Sequence, residues 1–83
     1  MDYSGLEFNE ILKLVRKEKG LSLDKMAEIL GTSKQALSRY ERGERIPKIT
    51  VAAHFAEKLG MDLSDLIGYE YHENGPTISE SEV

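Results

Sequence analysis

The chain has 83 residues, a net charge of −4 and no cysteine. A sequence of this size builds one domain that buries only about 60 to 65% of its unfolded surface, which excludes a multi-domain enzyme, and without cysteine it has no disulfide, thiolate ligand or thiol nucleophile. No apolar run approaches the roughly 20 residues of a membrane span, and Met1-Asp2-Tyr3 lacks the basic and apolar regions of a secretory leader, so the expected location is the cytoplasm.

In chain order, residues 1–7 read as an N-terminal arm and residues 8–67 as the folded body. Phe8, Ile11, Leu12 and Val15 recur at i, i+3, i+4, i+7, the apolar stripe of a first helix. Leu23, Met26, Ala27 and Leu30 repeat that pattern for a second. A third runs between the N-cap candidate Ser33 and Gly43, a residue able to close a helix in the left-handed region. Pro47 then breaks the chain. Ala52, Phe55, Ala56 and Leu59 mark a fourth helix. A short fifth, Leu63 to Ile67, begins after the cap candidate Asp62. No run alternates with period two well enough to read as a core strand, so the expected fold class is all-α, about five short helices. Residues 68–83 read as an acidic tail with little to bury, expected to be disordered.

The total charge hides a segregation. Lys13 to Lys48 holds ten Lys/Arg against five Asp/Glu, a net of +5, whereas Glu57 to Val83 holds one lysine against seven acids, a net of −6. An even, solvated surface does not account for a basic body followed by an acidic end. The segment Gly31 to Gly43, GTSKQALSRYERG, carries the informative part of the basic body. At roughly 100° per residue, Lys34, Ser38, Arg42, Gln35 and Arg39 fall on one side of a helix and Ala36, Tyr40 and Leu37 on the other. A helix this short does not stand alone in water, so its apolar side must dock and its polar side face outward. Leu30-Gly31-Thr32-Ser33 leaves room only for a tight Gly-containing turn, the geometry of a helix-turn-helix, whose second helix presents its N-terminal half to the DNA major groove.

These residues carry a family likeness. Arg16, Gly20-Leu21-Ser22, Ala27 through Ser33, Leu37 through Gly43, Pro47, Ala56, Leu59-Gly60 and Leu66 resemble the phage repressor and Cro-type (Xre-like) helix-turn-helix family in one register over about residues 8 to 67. The resemblance implies a compact five-helix, lambda-repressor-like fold and sequence-specific binding of double-stranded DNA, usually as a homodimer and commonly as a repressor, in a prokaryotic or phage-encoded protein. It implies base contacts from Lys34, Gln35 and Arg39 with Ser38 nearby, and a structural ion pair between Arg16 and Glu41. The sequence departs from the family at Leu23, where many members carry a glutamine that touches a phosphate. That contact is either lost or replaced, by Ser22 or by the backbone N–H groups of that helix start. The sequence departs again at Lys48, where the family often has a serine cap, so the fourth helix is expected to start nearer Thr50.

Side-chain chemistry assigns the contacts further. Glutamine pairs with adenine and arginine with guanine in the major groove, and Lys34 reaches either guanine or a phosphate. Ser33, Arg42, Arg45 and Lys48 bracket the helix as phosphate-contact candidates. One recognition helix reads only a few base pairs, so two copies on a palindromic operator are expected. Ile67, Tyr69 and Tyr71 are candidate dimer contacts, with a clasp on the tail as the alternative. The acidic tail is either a solvated terminus or an interaction segment. No enzyme, cofactor or metal is expected: His54 and His72 stand apart from any ligand-spaced motif, and no GxGxxG, GxxxxGK[ST] or GxSxG run occurs. The rival reading is an antitoxin-like or anti-repressor-binding module whose main partner is another protein, since fold alone does not assign function.

Overall fold

The computed structural model describes residues 5–67; the candidates Tyr69, Tyr71 and His72, the acidic tail and most of the expected arm lie outside them. The described residues contain five helices: α1 (Phe8–Glu18), α2 (Leu23–Leu30), α3 (Lys34–Glu41), α4 (Ile49–Leu59) and α5 (Leu63–Ile67). The all-α, five-helix expectation is met.

The apolar stripes become the core. Phe8, Ile11, Leu12 and Val15 of α1, Met26, Ala27 and Leu30 of α2, Leu37 and Tyr40 of α3, and Phe55, Ala56 and Leu59 of α4 are buried together with Leu66 of α5. Helix α3 packs on both α1 and α2, while α4 packs on α2 and α5. Leu23 is only half-buried, since it is the first residue of α2 and sits at the edge of the cluster. An aromatic trio holds the centre: the Tyr40 ring meets Phe8 edge-on at a centroid distance of 6.3 Å and Phe55 at 5.7 Å.

Local chemistry sets the boundaries. Ser22 Oγ accepts the Lys25 N–H at 3.1 Å and Ser33 Oγ accepts the Ala36 N–H at 3.0 Å, closing the first turns of α2 and α3. Glu10 Oε1 accepts the Glu7 backbone N–H at 2.9 Å before α1. Gly31 adopts φ 74° at the end of α2, which lets the Thr32 N–H return to the Ala27 carbonyl at 3.0 Å and turns the chain into α3 within three residues. Helix α4 starts at Ile49, one residue before the expected Thr50. Lys48 forms the cap without a side-chain bond: its carbonyl alone accepts the N–H groups of Val51 and Ala52, both at 2.9 Å. Backbone geometry therefore starts this helix.

Candidate nucleic-acid interface

The candidate surface is built on α3. Leu37 and Tyr40 are buried beneath it and Ala36 is half-buried, so the opposite side is turned to solvent: Lys34, Gln35 and Arg39 are exposed and Ser38 is partly so. Among the described residues the side chains of Gln35 and Arg39 make no hydrogen bond or ion pair; the Arg39 guanidinium only adds, at longer range, to the attraction that keeps the Glu44 carboxyl low. The two serine caps lie at the starts of α2 and α3. In each, an oxygen lone pair is used by the helix while the hydroxyl proton stays available to an anion such as phosphate.

The flanking cations are more constrained than their residue types reveal. Lys34 Nζ lies 3.7 Å from Asp24 Oδ2 on α2, a surface pair. Arg42 forms a bidentate pair with Glu44: Nε donates to Oε2 at 2.9 Å and Nη2 to Oε1 at 3.0 Å. Its remaining arm, Nη1, donates to Ser38 Oγ one turn back on α3. The hydrogen bond from Arg42, ahead of charge attraction, holds the Glu44 carboxyl below the usual carboxylate range, and the same bond raises the Arg42 guanidinium above its ordinary value. Arg45 lies over the Tyr40 ring, 5.5 Å from its centroid, so a core side chain aims an exposed cation of the α3–α4 loop. Lys48, at the end of that loop, is exposed.

Arg16 and Glu41 are held apart from this surface. Arg16 Nε donates to Glu41 Oε2 at 2.7 Å and Nη2 to Oε1 at 3.1 Å, while Nη1 donates to the Leu21 carbonyl at 2.9 Å. The side chains are 15% and 6% exposed, so the pair joins α1, the α1–α2 turn and α3 inside the fold. Ile67, the one dimer candidate within the described residues, is half-buried at the end of α5.

Sequence reasoning missed Asp24 and Glu44 as anionic partners of the basic residues and Tyr40 as a seat for Arg45. It also passed over Ile46, which is 55% exposed between Arg45 and Pro47. Glu44 lay two residues beyond Arg42 across a glycine, the one sequence hint for that pair; the Asp24 and Tyr40 contacts needed the fold. Among the described residues no group of three or more His, Cys, Asp or Glu side chains is arranged to hold a metal ion. None of the described helices is long and apolar enough to cross a membrane.

The helix-turn-helix family model HTH_3 matches residues 12–66, which takes in the α2–turn–α3 unit and the helices that support it. The chain belongs to this helix-turn-helix family. It is similar to a protein of Pyrococcus horikoshii named as an HTH-type transcriptional regulatory protein, with 44% identity over 46 residues, 55% of this chain and 15% of the relative. A protein of Methanocaldococcus jannaschii with the same kind of name is 35% identical over 71 residues, 78% of this chain and 22% of the relative. The chain thus spans less than a quarter of the length of these relatives. Among solved structures, an HTH_3 family transcriptional regulator from Vibrio cholerae superposes with a TM-score of 0.66 and 39% identity, covering 71% of this chain and 33% of that one. The clp gene regulator ClgR from C. glutamicum superposes with a TM-score of 0.65 and 29% identity, covering 71% of this chain and 77% of that one. These helix-turn-helix neighbours share the scaffold on which the exposed side of α3 is mounted.

Proposed function

We infer that this chain is a DNA-binding transcriptional regulator that reads the major groove with α3, works as a dimer on a palindromic operator and acts as a repressor. The observation that carries the reading is the outward presentation of Gln35 and Arg39, whose side chains make no hydrogen bond or ion pair among the described residues, with Lys34 and Ser38 beside them, on a helix seated by Leu37 and Tyr40 in the second position of a helix-turn-helix. In this reading Gln35 recognises adenine, Arg39 recognises guanine, and Lys34 leaves Asp24 for guanine or a phosphate. Ser22, Ser33, Arg45 and Lys48 fix the register by contacting phosphates on either side. Arg42 joins them only by giving up its bonds to Glu44 and Ser38. Ile67, with Tyr69 and Tyr71 beyond it, supplies the dimer contact. The names of the relatives, which refer to transcriptional regulation, support this class of function.

One observation favours a second reading. Helices α2 and α4, which pack together, leave Ile29 and Val51 exposed, and apolar groups outside the core are what a protein-binding module such as an antitoxin offers to its partner. Selection of bound duplexes from a random DNA pool at physiological ionic strength tests the first reading. A palindromic motif with half-sites one helical turn apart is the expected result, and a pool that stays random after selection overturns it.

A further inference from the structure

Ser38, Arg42 and Glu44 form a continuous chain along the C-terminal half of α3. Its anchor is backbone: Gly43 has φ 76°, which brings the Glu44 N–H back onto the Arg39 carbonyl at 2.9 Å and sets the Glu44 side chain beside Arg42. The carboxylate then takes two of the Arg42 nitrogens, at 2.9 and 3.0 Å, a fork-on-fork geometry that fixes the guanidinium plane. With that plane fixed, the third nitrogen donates to Ser38 Oγ.

A free serine hydroxyl both donates and accepts, so it discriminates poorly between base edges. Here one lone pair is engaged and a cation stands next to the oxygen, so an approaching amino group of adenine or cytosine meets a positive neighbour. The hydroxyl proton, by contrast, has no acceptor among the described residues. We propose that the Glu44–Arg42–Ser38 chain commits Ser38 to act as a hydrogen-bond donor, so that it reads an acceptor on the major-groove edge, namely purine N7, guanine O6 or thymine O4. Arg42 and Glu44 are then positioning residues, and Arg42 is not a phosphate contact. Lys34, Ser38 and Arg39 all present donors, and Gln35 is the one base-facing group on α3 that accepts. The edge beneath α3 is accordingly acceptor-rich, as guanine is with both N7 and O6. The proposal rests on the regulator reading and specifies the atom class that one of its residues recognises.

The test uses the duplex enriched by selection and measures binding of the wild-type chain and Ser38→Ala. Acceptors are removed singly by 7-deazapurines for N7, 2-aminopurine for guanine O6 and 5-methyl-2-pyrimidinone for thymine O4. Donors are removed by purine for adenine and 2-pyrimidinone for cytosine. Comparison with Ser38→Ala cancels any effect of the analogue on the duplex itself. On the natural site wild type binds about 3- to 10-fold more tightly than Ser38→Ala, the ratio for one hydrogen bond, and that ratio falls to about 1 when a single acceptor is removed. Glu44→Gln and Arg42→Ala each shrink the ratio at that same atom, and the double variant shrinks it no further, with thermal midpoints unchanged. A ratio that collapses on removal of a donor, or of no atom, overturns the proposal, as does Glu44→Gln leaving the ratio intact. Failure of the wild type to bind any DNA overturns the regulator reading itself, a separate and visible outcome.

Discussion

Replacing Arg16 by alanine is expected to be the most damaging change that touches neither the core nor the α3 surface. Arg16 gives three hydrogen bonds, two to the Glu41 carboxylate and one to the Leu21 carbonyl, and Glu41 keeps only 6% of its side chain exposed. Arg16→Ala leaves that carboxylate nearly buried and without its partner. Breaking a buried pair from one side costs about 3 to 5 kcal/mol, and the 15% exposure of Arg16 places this pair near the lower end. For a small domain a loss of about 3 kcal/mol corresponds to a fall of roughly 12 to 24 °C in Tm. Replacing both residues with methionine removes the stranded charge with the pair, and is expected to recover about half of the loss or more. Urea and thermal unfolding of wild type, Arg16→Ala, Glu41→Gln and the double replacement measure all of this. If Arg16→Ala costs under about 1 kcal/mol, or matches the double variant within about 0.5 kcal/mol, the pair is not the internal tie described here.

Three other outcomes are expected. Arg39→Ala lowers affinity for the selected site by about 1 to 3 kcal/mol with little effect on random DNA, while Lys48→Ala weakens every sequence alike and flattens the salt slope by about one unit; identical behaviour of the two on specific and random duplexes would contradict the division between base and phosphate contacts. Ser33→Ala removes the α3 cap and costs about 1 kcal/mol, or roughly 4 to 8 °C in Tm, which a melting curve reads directly. Glu44, whose carboxyl is held low by Arg42, keeps its pair above the ordinary carboxylate range and loses it as pH falls through its own lowered midpoint. An NMR titration of the Glu44 side chain is expected to show that depressed midpoint in wild type and an ordinary one in Arg42→Ala; an ordinary midpoint in both means the pair does not form in solution.

The legible parts of the sequence were those governed by local spacing. Apolar residues at i, i+3, i+4, i+7 can share a side only on a helix, so Phe8, Ile11, Leu12 and Val15 identify both the element and its buried side. Ser33 was legible as a cap because a serine two to three residues before a free N–H has a specific bond to make, and Ser22 makes the same bond at the start of α2. The start of α4 was misplaced by one residue because Lys48 closes the turn through its carbonyl, and every residue type has one. The partners of the basic residues were illegible for a different reason. Arg42 and Glu44 stand two apart, a spacing that does not meet on a helix, and they meet because Gly43 ends the helix between them. Asp24 and Lys34 meet only after α2 and α3 have packed.

Tyr40 links the two halves of this molecule's design. Its ring is 5% exposed and touches Phe8 and Phe55 edge-on, so it belongs to the core, yet Arg45 rests over it on the surface. An exposed cation over an aromatic ring gains about 0.5 to 1 kcal/mol, enough to bias where a long side chain spends its time but too little to hold it against a phosphate. The loop cation is therefore pre-aimed and still free to transfer. The same logic separates the basic residues along α3. Among the described residues Arg39 makes no side-chain hydrogen bond or ion pair, whereas Lys34 lies against Asp24 and Arg42 is held by Glu44. Exposed pairs of this kind are screened by solvent, so in the proposed interface the release of Lys34 from Asp24 costs little beside a close phosphate contact.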